Sequence, residues 1–126
     1  MDKKRILVVD DEEAILLAFR KLLSRPNVEV DTCECIEDAK RNLDSIYYDA
    51  VIADLRLSGT LGQEGFEIIS HIRSKSKETR IALITAYGSS GTLEKAMSLG
   101  ADFYFEKPVS MQNLNEVLKS IGIRES

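Results

Sequence analysis

Cysteine and histidine are scarce in this chain: its 126 residues include two cysteines, one histidine and no tryptophan. Cys33 and Cys35 have no further cysteine and no nearby histidine with which to complete a zinc site. The single histidine, His71, lies on a helical pattern beside Arg73 and Lys75, which favours a solvated surface imidazole over a catalytic base. We therefore expect neither zinc chemistry nor histidine catalysis.

Long apolar runs are also lacking. No run approaches the ~20 residues that a transmembrane helix needs, and the amino-terminal MDKKR leads directly into a predicted strand rather than into the apolar part of a signal peptide. Seventeen basic and 21 acidic residues give a net charge of -4, without a basic stripe. We expect a soluble, cytoplasmic protein that binds neither membrane nor nucleic acid directly.

Apolar runs and helix-period segments alternate along the whole chain. The length suits one domain, residues 1–126, and the pattern predicts five βα units, hence an α/β fold with a parallel sheet covered on both faces. The predicted strands are 6–9, 28–32, 50–53, 81–84 and 103–105. The predicted helices begin near residues 12, 36, 65, 92 and 111 and end near 23, 43, 73, 99 and 121.

Local patterns refine this prediction. The continuous apolar run 6–9 is typical of a strand buried on both faces, whereas the alternation at 28–31 is typical of an edge strand. Gly100 follows the fourth helix, where a left-handed cap is commonly needed. In the first helix we expect the inward stripe to be Ala14, Leu17, Ala18 and Leu22.

Polar residues follow four of the predicted strands: Asp10 and Asp11, Asp54, Thr85, and Lys107. In an open parallel sheet, ligands bind beyond the carboxyl ends of the strands, so these side chains should converge. Three carboxylates, a hydroxyl and an ammonium group suit a divalent cation and a phosphoryl group, with one carboxylate as the nucleophile.

Each of these residues also has a simpler interpretation. Asp10 or Asp11 could cap the first helix, Asp54 could be an ordinary loop acid, Thr85 could reflect β-propensity, and Lys107 could be a surface lysine. Helix capping explains one acid but not four in succession at 10–13, whose mutual repulsion is unfavourable without a cation. Mg²⁺ prefers oxygen ligands and matches this group of acids.

Four stretches, ILVVDDE, AVIADLRL, IALITAYG and GADFYFEKPV, resemble the receiver domain of two-component response regulators. The resemblance covers essentially the whole chain. It implies a doubly wound, flavodoxin-like sheet of strand order 2-1-3-4-5 with five flanking helices.

The resemblance also implies roles for the site residues. Asp54 is similar to the phosphoacceptor of the family, and Asp10 and Asp11 to the acidic pair that holds Mg²⁺ with it. The backbone carbonyl of Arg56 would complete the metal shell. Thr85 and Lys107 match the hydroxyl and the lysine that contact the phosphoryl group.

A conformational switch is implied as well. In the family, the hydroxyl at Thr85 moves toward the phosphoryl group, the aromatic side chain at Tyr104 moves inward, and the face of helix four, strand five and helix five signals the change. Alternatively, Tyr104 only packs the strand edge. The bond between Lys107 and Pro108 matches a cis peptide of the family.

The loop after Asp54 departs from the family pattern. It is about three residues longer than usual, has Ser58 where proline is common, and contains Gly59, Gly62 and Gly65, which we interpret as making it pliable.

Two bulky residues, Arg56 and Tyr87, stand where the family tunes hydrolysis of the aspartyl phosphate. Because bulky groups beside the site hinder an attacking water, we expect a phosphoryl group that outlives those of fast chemotaxis receivers.

The expected function is that of a switch, which takes a phosphoryl group from a histidine kinase or a phosphotransfer protein and catalyses only its own phosphorylation and dephosphorylation. Its expected partners are that kinase, an output domain or partner protein, and a second copy on activation. The chain is either a stand-alone receiver or the first domain of a longer regulator, and TAYGSS resembles transcriptional regulators slightly more. Two alternatives are a phosphorylation-independent interaction module and a phosphohydrolase with an aspartyl-phosphate intermediate. Arg56 opposes the phosphohydrolase, since haloacid-dehalogenase-like enzymes have a second acid there.

Overall fold

A computed structural model describes residues 3–55, 64–86 and 88–123. Its strands are β1 (Lys4–Val9), β2 (Val28–Cys33), β3 (Ala50–Asp54), β4 (Arg80–Thr85) and β5 (Phe103–Glu106). Its helices are α1 (Glu13–Leu23), α2 (Ile36–Ser45), α3 (Glu64–Arg73), α4 (Ser90–Leu99) and α5 (Met111–Ser120). Within the described residues, no helix is long and apolar enough to cross a membrane.

The five strands form one parallel sheet of order β2-β1-β3-β4-β5, which confirms the predicted α/β fold. β2 lies on one side of β1, and β3, β4 and β5 follow on the other side. The order of the strands therefore changes direction between β1 and β3, and their carboxyl ends flank the crevice where such folds bind ligands. β2 lies at one edge, as its alternating pattern predicts, and most of its residues are half-buried.

Each face of the sheet has its own core. Leu7 and Val9 of β1 pack with residues of α2, α3 and α4 on one face, while Ile6 and Val8 pack with residues of α1 and α5 on the other. Since side chains alternate along a strand, β1 is apolar at every position from Ile6 to Val9 because both of its faces are covered.

The inward stripe predicted for α1 is wrong. Leu17 is 55% exposed, Leu22 is also exposed, and the buried residues of α1 are Leu16, Phe19 and Leu23. The sequence EAILLAFRKLL is apolar around most of the helix, so spacing alone could not determine which face packs on the sheet.

The cap predicted at Gly100 is confirmed. Gly100 ends α4 with φ of 115°, in the left-handed region, and its N–H donates to the carbonyls of Ala96 and Met97.

Candidate functional site

Asp10 lies at the carboxyl end of β1 and is 2% exposed. Its backbone N–H donates to the carbonyl of Cys33 at 3.1 Å, which extends the β1–β2 pairing by one residue. Its Oδ1 atom accepts a hydrogen bond from the N–H of Glu12 at 2.9 Å. Pairing with β2 therefore fixes the backbone of Asp10, and the turn before α1 fixes one of its carboxylate oxygens.

Asp54 and Thr85 are the last residues of the neighbouring strands β3 and β4. Asp54 is 7% exposed and Thr85 is 3% exposed. The N–H of Leu55 donates to the carbonyl of Ile84 at 2.8 Å, so the pairing of β3 and β4 continues to the edge where both polar side chains lie.

Lys107 follows β5 and connects the acids. Its backbone N–H donates to the carbonyl of Thr85 at 2.8 Å, and its peptide bond to Pro108 is cis, as the resemblance implies. The Nζ atom donates to Oδ2 of Asp54 at 2.9 Å and to Oδ2 of Asp10 at 3.3 Å. One ammonium group thus contacts the two buried carboxylates that end β1 and β3.

Burial and charge oppose each other in this cluster. Burial, with a contribution from the charge of Asp54, raises the pKa of Asp10 against the lowering effects of the Glu12 N–H and Lys107. Burial also works against the charged form of Lys107, but the hydrogen bond and charge of Asp54 and the charge of Asp10 outweigh it, so the pKa of Lys107 is raised. The negative charge of the carboxylates in this site therefore favours binding of a further cation.

The acidic residues at the start of α1 provide oxygen atoms for a cation. Ligand atoms of Asp10, Asp11 and Glu12 all lie within 4.8 Å of one another, and Asp11 and Glu12 are exposed. All of these donors are carboxylate oxygens, the type that Mg²⁺ prefers. Carboxylates outnumber the single ammonium group of Lys107, so the donor set fits a hard divalent cation both chemically and electrostatically.

The model of the response regulator receiver domain family matches residues 6–119 of the chain. The chain belongs to this family. The matched range begins within β1, covers the other four strands and ends one residue before the end of α5, so the family assignment and the fold rest on the same residues.

Relatives with known names or structures agree with this assignment. The receiver is similar to the transcriptional regulatory protein ResD of Bacillus subtilis, with 33% identity over 125 residues, 99% of this chain and 50% of ResD. The chain spans between 26% and 50% of the length of the first curated relatives it matches.

Solved structures agree as well. A receiver domain from Methanospirillum hungatei has a TM-score of 0.84 and 25% identity over 94% of this chain and 92% of that one. A response regulator from Burkholderia pseudomallei, determined with a phosphorylated aspartic acid and a calcium ion, has a TM-score of 0.81 and 25% identity over 92% of this chain and 66% of that one.

The structure brings Asp10, Asp54 and Lys107 into direct contact and places Thr85 at the same edge of the sheet. Asp11 stands beside them in the acidic cluster. The predicted roles of Arg56 and Tyr87 lie outside the described residues, as do Ser58, Gly59 and Gly62.

Gly65 has a different role from the one predicted. It lies in the first turn of α3, and its N–H donates to the carbonyl of Leu55 at 3.0 Å. A Cβ atom at Gly65 would lie 2.6 Å from Cδ1 of Leu83 and 2.7 Å from Cα of Leu55. Glycine is therefore needed for close packing of α3 beside Asp54, rather than for a pliable loop.

His71 lies outside the site, but it is not merely solvated. Its Nε2 atom is 2.9 Å from Oδ1 of Asp44, which also receives Lys75 Nζ at 3.0 Å. The hydrogen bond of His71 and the ion pair of Lys75 connect α2 to the end of α3 and the residues after it, on a different part of the molecule from Asp54. Nothing in the spacing of His71 indicates an acid 27 residues away.

Tyr104 shows a contact that the sequence did not reveal. Its ring is half-buried against the core on the α2–α4 face, and its hydroxyl oxygen lies 2.6 Å from Oγ1 of Thr92 in α4. Tyr104 therefore packs against the core and makes a polar contact with α4, while the inward movement that the resemblance implies stays a prediction.

Proposed function

We propose that this receiver takes a phosphoryl group onto Asp54 from the phosphohistidine of a histidine kinase or a phosphotransfer protein. The observation that supports this most strongly is the contact of Lys107 Nζ with Asp54 at 2.9 Å and Asp10 at 3.3 Å. The B. pseudomallei relative, with its phosphorylated aspartic acid, gives independent support.

The reaction needs one carboxylate as nucleophile. An oxygen of Asp54 attacks the phosphorus atom in line, the P–N bond breaks, and its electron pair returns to the imidazole nitrogen of the donor. Lys107 adjoins Asp54, so its ammonium group is available to the phosphoryl oxygens as their charge develops. Thr85, at the end of the adjacent strand, supplies a hydroxyl donor.

Mg²⁺ is the proposed cofactor. Asp10, Asp11 and Asp54, together with the backbone carbonyl of Arg56 by its place in the motif, would hold it. When bound, Mg²⁺ offsets the charge of the carboxylates and of the phosphoryl oxygens. Lys107 contacts both Asp10 and Asp54, so occupation of the site changes the surroundings of its ammonium group directly.

We propose further that phosphorylation changes the face formed by α4, β5 and α5. The Thr85 hydroxyl moves toward the phosphoryl group, and Tyr104 moves into the space that it leaves. The two helices of this face carry exposed apolar side chains: Leu93 and Met97 on α4 and Met111 on α5. Such side chains suit contact with an output domain, a partner protein or a second copy. The protein is a switch whose only catalysis is its own phosphorylation and dephosphorylation.

The kinetics of phosphorylation test this proposal. The donor is phosphoramidate, a small molecule with the same P–N bond as phosphohistidine, and the initial rate is measured on phosphate-affinity gels with and without Mg²⁺. Lys107→Arg keeps the charge but changes its shape, and Thr85→Val removes the hydroxyl at constant volume. Thr85→Val should lower the rate by about 10²-fold, the usual effect of losing one transition-state donor. Lys107→Arg should also lower it, because a planar guanidinium group does not reproduce the contacts of a compact ammonium group with Asp54 and Asp10.

Lys75→Arg is the matched control, because Lys75 contacts Asp44 on another part of the surface. It should leave the rate unchanged. Equal rates for wild type, Lys107→Arg and Thr85→Val, or a rate independent of Mg²⁺, would contradict the proposed chemistry. A folded wild type that is never phosphorylated would favour a phosphorylation-independent interaction module.

A further inference from the structure

The hydroxyl of Tyr104 on β5 is connected to the first turn of α4. Its oxygen lies 2.6 Å from Oγ1 of Thr92, the third residue of that helix. The proposed movement of Tyr104 would therefore break a polar contact that joins the strand to the helix.

Thr92 also belongs to the capping box of α4. Its N–H donates to Oγ of Ser89 at 3.2 Å, and its own Oγ1 accepts from the N–H of Ser89 at 3.1 Å. The Oγ1 atom is also 3.0 Å from the carbonyl oxygen and 3.1 Å from Oγ of Ser89. A threonine hydroxyl has one proton and two acceptor sites. If that proton goes to the Ser89 carbonyl, Tyr104 is the donor to Thr92, and a single oxygen serves both the helix cap and the tyrosine.

The two ends of α4 are held differently. At the carboxyl end, the carbonyl of Gly100 accepts from Nε of Arg73 at 3.1 Å and from Nη2 at 2.8 Å, charge-assisted bonds that reach α3. Along the helix, Ala96 is the buried residue, and Lys95 Nζ lies 4.8 Å from the centre of the Phe66 ring. At the amino end, the hydroxyl of Tyr104 connects α4 to β5 through Oγ1 of Thr92.

The loop before α4 also lies against Tyr104. A Cβ atom at Gly88 would be 3.2 Å from the hydroxyl oxygen of Tyr104 and 3.1 Å from Cδ of Glu106. This close approach means that the ring cannot change position without altering what the loop and the first turn of α4 pack against.

We propose that Thr92 is a latch residue, which holds Tyr104 in its present position through the same oxygen that caps α4. Movement of Tyr104 and loosening of the first turn of α4 are then one event. This inference rests on the proposed function for its signalling meaning, but the latch is a property of the unphosphorylated protein and can be measured there.

Hydrogen exchange in unphosphorylated protein tests the latch. Tyr104→Phe removes the hydroxyl but leaves the Ser89–Thr92 cap intact. It should speed exchange of the Thr92 and Leu93 amides, which donate to Oγ and to the carbonyl of Ser89, by about 5-fold, the effect of one ordinary hydrogen bond. Thr92→Val removes the contact with Tyr104 and the hydrogen bond from the Ser89 N–H to Oγ1, while its own N–H still donates to Ser89 Oγ. It should speed exchange further, whereas Thr92→Ser should restore the wild-type rate. Tyr104→Phe should add nothing in the Thr92→Val background.

A purely structural cap gives a different result. Thr92→Val would then speed exchange while Tyr104→Phe left it unchanged, and the latch would be refuted. Unfolding measured on each variant separates local from global opening, and an acceleration spread equally over α4 and the central strands would also refute it.

A second arm separates this inference from the proposed function. Thr92→Val should raise the rate of phosphorylation by phosphoramidate several-fold, because a released first turn populates the form that the phosphoryl group favours. If no variant and no wild type is phosphorylated, the proposed function fails, and hydrogen exchange still decides the latch. If phosphorylation proceeds but Thr92→Val does not accelerate it, the latch does not control the switch.

Discussion

Lys107 and Asp54 are 53 residues apart in sequence, yet the ammonium nitrogen lies 2.9 Å from a carboxylate oxygen of the aspartate. Both residues stand at carboxyl ends of strands that are separated in the sheet by β4 alone. The long lysine side chain crosses that strand end and continues to Asp10. This contact gives the site its charge balance, and several expected properties follow from it and from the packing around it.

Asp10→Asn should stabilise the metal-free protein. Because burial raises the pKa of Asp10, the ionised side chain is less favourable in the folded than in the unfolded protein. Below the unfolded value of 3.8 both states hold the proton and no difference remains, and stability declines as the pH rises from there through the folded pKa. At neutral pH we expect urea unfolding, in the presence of a chelator, to show a gain of about 1 kcal/mol.

The gain from Asp10→Asn should disappear near pH 3, and addition of Mg²⁺ should stabilise the wild type more than the variant. A variant that is less stable than wild type at neutral pH without metal would contradict this account of Asp10.

Gly65→Ala should destabilise the fold by about 1–3 kcal/mol, the usual effect of overpacking. The added Cβ would meet Leu83 Cδ1 at 2.6 Å and the backbone of Leu55 at 2.7 Å. Gly91→Ala is the matched control, because its Cβ would have only Ser89 Oγ within 4 Å, at 3.9 Å. It should be neutral or stabilising in α4. Similar unfolding free energies for the two variants would show that α3 does not need the close approach.

Arg73→Lys should destabilise the protein by roughly 2 kcal/mol, since an ammonium group cannot reproduce the guanidinium contacts. Arg73 donates to the carbonyls of Gly100, Ser76 and Thr79 and to the carboxylate of Asp102. Arg41→Lys is the control, as the Arg41 side chain is 73% exposed and forms a surface ion pair with Asp38. Equal midpoints in thermal unfolding would argue against Arg73 as the anchor of the carboxyl end of α4.

The phosphorylated protein should keep its phosphoryl group well beyond seconds at neutral pH. Arg56 and Tyr87 are bulky and stand, by motif, where they would hinder an attacking water. Removal of the donor by gel filtration, followed by intact mass over time, measures the lifetime, and Arg56→Ala with Tyr87→Ala should shorten it. Loss of the phosphoryl group within seconds in the wild type would contradict the prediction.

The sheet and the convergence of its polar residues could be predicted because they depend on repeated local patterns. Continuous apolar runs specify buried parallel strands, and parallel strands bring Asp10, Asp54 and Lys107 to one edge whatever lies between them. The cap at Gly100 could be predicted in the same way, because a left-handed residue at a helix end is a local requirement.

Features that depend on packing or on long-range contacts could not be predicted from the sequence. The inward face of α1 was predicted wrongly because Leu16 and Leu17 are adjacent leucines, and only the fit against the sheet decides between them. A glycine in a flexible loop and a glycine needed for close packing look the same in the sequence, and Gly65 allows α3 to pack closely against Leu55 and Leu83. The contact between Thr92 and Tyr104 joins ordinary residues of two elements, and no local pattern marks it.

The central claim is that Asp54 is the phosphoacceptor, and intact mass spectrometry tests it most directly. The protein is incubated with acetyl phosphate and Mg²⁺ beside Asp54→Asn, a chelated sample and Asp44→Asn, a control whose aspartate pairs with His71 and Lys75 elsewhere. We expect a gain of about 80 Da, one phosphoryl group, in the wild type and in Asp44→Asn, and no gain in Asp54→Asn or after chelation. A gain that persists in Asp54→Asn, or its absence from a folded wild type, would contradict the account.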